Sequence, residues 1–214
     1  MNFIAGLDLG QAADYSALVI AEKILPPMPP LSDAQRLGLV RPPLEPPSSP
    51  LAYHLRHIQR YPLGTSYPTI VTEVKTLLQK LVSLGGAILV ADATGCGRPV
   101  FDMFTAAKLP CLVYAASITG GDTVSREDMH YRIPKRDLVS TVQVLLQNAQ
   151  LKIAEGLPET PTLVKELQNF KVKIDPQTAH DSYSAWRENM HDDLVLATAL
   201  ACWMGEHHRE VDIW

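Results

Sequence analysis

Apolar and polar positions change period several times along the chain, and each change marks an element. "NFIAGLDLG" and "SALVIAEKI" read as two short strands around a turn at Gln11–Tyr15, close enough in sequence to pair as a hairpin. "AYHLRHIQRYPL" returns to strand-like alternation. In "SYPTIVTEVKTLLQKLVSLGG" the period becomes helical: Ile70, Val74, Leu77, Leu78 and Leu81 share one stripe, and Gly85 supplies the stop. "GAILVADATGCG" is a continuous apolar run ending in Asp92 and a glycine turn, the pattern of a strand covered on both faces. "RPVFDMFTAAK" predicts a helix with proline in its first turn, and "PCLVYAASIT" the next buried strand.

Further on, "GGDTVSREDMHYRIPK" predicts a turn or ribbon, "KRDLVSTVQVLLQNAQ" a second amphipathic helix and "LKIAEG" a short strand. "PTLVKELQNFKVKI" reads as a helix running into a strand. The last helix, "DLVLATALACWMGEHH", is apolar nearly all round and must pack on the sheet. Between the hairpin and the third strand, Leu25–Pro50 is dense in proline, which removes donors and fixes φ. That stretch predicts a surface loop, a plain insertion with a PxxP ligand as the alternative. There is no internal repeat. The order of elements predicts one α/β domain over residues 1–214, with a mixed sheet and a proline-rich loop at about 25–50.

Composition narrows the function classes. A formal net charge of −4 excludes a bulk polycation, so any nucleic-acid surface must be local. Cys96, Cys111 and Cys202 lack C-x-x-C spacing and read as small hydrophobes in a reducing compartment, not as a disulfide framework or zinc site. No signal peptide is visible, and no stretch approaches the roughly 18 apolar residues of a membrane span. The expectation is a cytoplasmic protein without membrane contact.

Three acidic positions stand out. Asp8 sits inside an apolar strand, where an ionised carboxylate is costly without a positive partner. Asp92 ends the strand "AILVAD", where a lone aspartate is ordinarily a turn or cap residue. Asp192 and Asp193 open the last helix, where they suit the N-cap and the dipole. Taken together, however, Asp8 has no cap to make, and its hairpin has no cation before Lys23. Two strand carboxylates and one helix-start carboxylate can meet at one sheet edge. Such hard oxygen ligands suit one or two magnesium or manganese ions, the arrangement used for in-line attack at a phosphodiester.

At this point "GLDLGQAADYSALVI", "AILVADATGCGRPVFDMF", "YRIPKRDLVSTVQVLLQ" and "HDDLVLATALACW" resemble, in order, the nuclease domain of phage terminase large subunits. "YHLRHIQRYPLGTSYPTIVTEV" also looks like that family's third strand and following helix. The resemblance implies a ribonuclease H-like mixed central sheet with helices on both faces, and a metal-dependent endonuclease acting on double-stranded DNA. It implies Asp8, Asp92 and Asp193 as catalytic metal ligands for two ions, Mg2+ or Mn2+. Asp192 is the alternative to Asp193, because Asp193 shares a helical face with Ala197 and Leu200, and Asp192 with Val195 and Ala199. Asp14 matches an acidic position common in such domains, as an auxiliary ligand or a turn residue. Terminases also carry an ATPase motor, yet the sequence holds no G-x-x-x-x-G-K-[ST] loop. The implied partners are a separate terminase motor, a small subunit or a portal protein.

Arg126, Arg132, Lys135 and Arg136 form the densest basic cluster and are the candidates for DNA phosphate contacts. Gly95 and Gly97 would let backbone approach a phosphate. Arg56 and Arg60 would share a face on a strand, as would Lys171 and Lys173, with solvated charge as the plain alternative. His191 is either a cap neighbour or an outer partner of a ligand, and His207–His208 a solvated helix end. Rival readings are a Holliday-junction resolvase of the same fold, a sugar-kinase-like phosphate loop at "GLDLG", and a non-catalytic DNA- or portal-binding module.

Overall fold

The structure, a computed structural model, describes residues 2–10, 14–25, 36, 51–94, 97–172 and 192–208, with backbone alone at 97–98 and 170–172. The expected proline-rich loop, Gly95, Cys96, the strand expected after Val172, Lys173 and His191 lie outside the described residues.

The hairpin and third strand form an antiparallel meander of β1 (Phe3–Asp8), β2 (Ala17–Ile24) and β3 (Ala52–Arg60). On the other side of β1, β4 (Ala87–Asp92) and β5 (Leu112–Thr119) pair in parallel. The expected ribbon is the hairpin of β6 (Ser125–Glu127) and β7 (His130–Pro134), whose β7 runs parallel to β5. At the far edge β8 (Leu151–Ile153) runs parallel to β3. The eight strands follow the order β6-β7-β5-β4-β1-β2-β3-β8. All but β2 and β6 run the same way, so most strand C-termini meet along one sheet edge.

Helices cover both faces. Residues Phe3, Ala5 and Leu7 of β1 point to α1 (Tyr67–Gly85) and α2 (Gly97–Ala107), which bury Ile70, Val74, Leu78, Val100 and Phe104 there. Val71 is also buried on α1, whereas Leu77 is only partly so, and the helix is capped one residue late, by Gly86 at φ 83°. Glycine suits that positive φ. On the opposite face Ile4, Ala17, Val19 and Val90 pack against α5 (Asp193–His207), with α3 (Lys135–Gln147) and α4 (Thr160–Val172) outside it. Because α5 lies between the sheet and two helices, it is apolar on every side.

Three expectations are corrected. Asp8 is the last residue of β1, matching Asp92 at the end of β4, and is not interior to its strand. Ile20 pairs with His57 and Ala21 with Leu55, so Arg56 is the extra residue of a bulge and loses phase with Arg60. Lys171 belongs to the final turn of α4, so strand alternation does not relate it to Lys173.

Candidate metal centre

Sheet register assembles the first half of the site. Asp8 faces Ala17 across β1 and β2, and Ala17 faces Arg60 across β2 and β3. On the other side Leu7 pairs with Ala91, so the next step places Asp8 beside Asp92. Asp92, Asp8, Ala17 and Arg60 thus form one row over four strands. They share the face on which Ile4, Ala17, Val90 and Ile58 meet α5.

The second half comes from α5. Its axis can lie close on β1 because Gly6 presents no side chain: a Cβ there would sit 2.0 Å from the Ala197 carbonyl oxygen and 2.9 Å from the Ala201 nitrogen. Gly6, two residues before Asp8, therefore determines how near the helix start comes to the strand carboxylates. Asp192 is the N-cap residue and Asp193 the first helical residue, buried at 5% exposure.

The result is a concentration of like charge. Burial raises the Asp8 carboxyl well above its ordinary range, and Asp92, Asp193 and Asp192, in decreasing order, push it further. The Asp92 side chain, in hydrogen-bonding reach, raises Asp8 a little more. Asp14, exposed in the β1–β2 turn, is not one of the groups acting on Asp8.

The remaining carboxyls have protein partners. Thr94 donates to Asp92 Oδ1 from its backbone N–H at 2.7 Å and from its hydroxyl, and that hydroxyl accepts from the Ile118 N–H of β5 at 2.8 Å. Arg60 Nη2 donates to Asp193 Oδ2 at 2.9 Å and to Glu166 Oε1 at 2.6 Å. The other oxygen of Glu166 accepts the Leu194 and Val195 N–H groups at 3.1 and 3.2 Å, so α4 caps α5 across space. Burial pushes Glu166 up to about 7, against the pull of Arg60 and of those amides. The Tyr15 ring covers the Arg60 guanidinium, 4.4 Å from its centroid.

Among the described residues no three metal-binding side chains form a ready-made cage. The donor chemistry nevertheless fits a hard divalent ion. The set is all carboxylate, and burial together with the charges of Asp92, Asp193 and Asp192 disfavours an ionised Asp8, a penalty that a hard divalent ion among these oxygens would relieve.

Arg60, Glu166, Thr94 and Gly6 are the participants that sequence reading did not place. Glu166 had a signal, an acidic residue on the apolar α4 stripe between Leu163 and Leu167. Thr94 had another, the D-x-T spacing of a side-chain turn. The ribbon cations do not form one patch. Arg126 stacks over Tyr131 and Tyr114, with Cζ 5.0 and 5.6 Å from the ring centroids. Arg136 pairs with Asp122 at 2.6 Å. Arg132 is exposed and alternates to the opposite face from Tyr131, while Lys135 opens α3 at the carboxyl edge of the sheet. Gly97 opens α2 just beyond Asp92.

No family model and no curated protein matches the sequence. Solved structures do. The large terminase nuclease from thermophilic phage G20c superimposes with a TM-score of 0.54 at 18% identity, covering 94% of this chain and 80% of that one. The human cytomegalovirus terminase nuclease domain, in a manganese-soaked crystal, gives 0.51 at 10% identity, covering 95% and 84%. The chain has the ribonuclease H-like fold of terminase nuclease domains, a mixed eight-stranded sheet between two helical layers.

Proposed function

We propose that the protein is a divalent-metal-dependent endonuclease that hydrolyses double-stranded DNA, with Asp8, Asp92 and Asp193 holding two magnesium or manganese ions and Asp192 beside them. The observation that carries this reading is the row Asp92–Asp8 under the acidic start of α5. There buried carboxylates stand together at a cost that a bound divalent cation would offset. Bound there, such ions would polarise the scissile phosphate and lower the pKa of an attacking water. Thr94 would hold the Asp92 rotamer, and Arg60 one oxygen of Asp193, so that little reorganisation accompanies binding. Lys135 and Gly97, which open helices on the carboxyl edge, are the proposed phosphate contacts nearest in layout to that row, with Arg126, Arg132, Arg136 and Gly95 as outer ones. The setting would be DNA packaging, with the ATPase motor on another chain or domain.

The test is cleavage of supercoiled plasmid in magnesium, manganese and EDTA, with Asp92→Asn alongside and a four-way junction as second substrate. Nicking or linearisation in either metal, lost in EDTA and in the variant, is expected. Retardation of plasmid without cleavage would replace this reading with a non-catalytic DNA-binding module. Exclusive cutting of the junction would replace it with a resolvase.

A further inference from the structure

We propose that Arg60 is a positioning residue for Asp193, clamped by Glu166 and Tyr15 so that one oxygen of the helix carboxylate is fixed before an ion arrives. The inference rests on the divalent-ion reading of the site.

Arg60 ends β3, three positions along the row from Asp92. A single nitrogen, Nη2, touches both Glu166 Oε1 and Asp193 Oδ2. Its Nε is buried without a hydrogen-bond partner among the described residues, so the guanidinium is placed by the two carboxylates that Nη2 binds and by the Tyr15 ring, at the expense of its Nε donor. Glu166 is itself anchored: its second oxygen accepts from the Leu194 and Val195 amides, two of the free N–H groups in the first turn of α5. One chain of contacts therefore links Tyr15, Arg60 and Glu166 to the backbone and side chain at the helix start. Asp193 is positioned through both ends of that chain.

The sign of the effect separates positioning from plain charge. A guanidinium beside an ion site repels the ion, so if Arg60 acted only as a charge, its removal would tighten binding. A partner that orients a ligand acts the other way, and its loss typically weakens metal binding by about 10–100-fold.

The experiment titrates Mn2+ into the full chain at pH 7.5, reading free ion and the bound-ion spectrum by electron paramagnetic resonance, for wild type, Arg60→Met, Arg60→Lys and Glu166→Gln. Arg60→Met is expected to bind Mn2+ at least about tenfold more weakly with an altered bound spectrum. Arg60→Lys, whose ammonium can contact both carboxylates, is expected to recover part of the loss. Glu166→Gln, which still caps the amides but holds Arg60 less firmly, is expected to lose several-fold and carries the test if Arg60→Met does not fold. Affinity unchanged or tighter in Arg60→Met, or wild-type affinity and spectrum in both other variants, would overturn the proposal. A purely structural role would lower the melting temperature in EDTA yet leave Mn2+ affinity and spectrum of the folded protein intact. Wild type that binds no Mn2+ would remove the site reading and this proposal together.

Discussion

The two ends of α5 lie on the same sheet and solve opposite electrostatic problems. At its C-terminus the charged and hydroxyl groups meet complements: Lys23 Nζ donates to the Gly205 carbonyl at 2.8 Å, and the Tyr53 hydroxyl donates to Glu206 at 2.7 Å, although the Trp203 Nε1–H is buried without a hydrogen-bond partner among the described residues. A cation on the last carbonyls also suits the helix dipole. Around these bonds Trp203 stacks on His207 at 4.1 Å and meets Tyr131 edge-on. At the N-terminus the dipole favours one carboxylate, but Asp8, Asp92, Asp192, Asp193 and Glu166 converge there, with Arg60 bridging Asp193 and Glu166. One end is built for stability. The other gathers like charges, the feature on which the proposed metal site rests.

The sharpest way to break this contrast is Gly6→Ala, which drives a methyl group into the α5 backbone. It should cost about 3 kcal/mol, near the top of the overpacking range, and lower the melting temperature by roughly 6–12 °C. A variant that melts like wild type would mean that α5 is not seated on β1 as described. A pH series in EDTA tests the electrostatic difference. Asp8 and Glu166 are both raised, so the folded chain holds protons that the unfolded chain releases. Stability should therefore fall as pH rises, for Glu166 across the interval from 4.5 to about 7. A melting temperature at pH 7.5 at or above that at pH 5 would contradict the described charge surplus. The smallest effect belongs to the other end: Tyr53→Phe should cost about 1 kcal/mol through the lost hydrogen bond to Glu206, without changing plasmid cleavage. Reduced cleavage in that variant would show that the two ends are not independent.

Much of the fold was legible because it rests on local patterns. Apolar runs marked β1, β4 and β5, helical stripes marked α1 and α3, and a stretch apolar on nearly every side marked α5. The turn signals also placed the β6–β7 ribbon. Asp92 was legible for the same reason, closing an apolar strand, whereas Asp8 reads as interior to β1 and in fact closes it. What stayed hidden depends on contacts between distant segments. The bulge at Arg56 shifts the phase of β3 and turns Arg60 toward α5, which no alternation reveals. Glu166 caps a helix 28 residues away, and only the packing of α4 on α5 brings it there. Gly6 reads as a weak strand residue until the helix above it is in place.

The most direct measurement is the melting temperature with and without Mn2+ at pH 7.5, for wild type and Asp8→Asn. Removing this carboxylate, disfavoured by burial and by its acidic neighbours, should raise the metal-free melting temperature by a few degrees, while abolishing the upward shift that Mn2+ gives wild type. An equal Mn2+ shift in both proteins, or a metal-free Asp8→Asn less stable than wild type, would contradict a cation-binding centre at the start of α5.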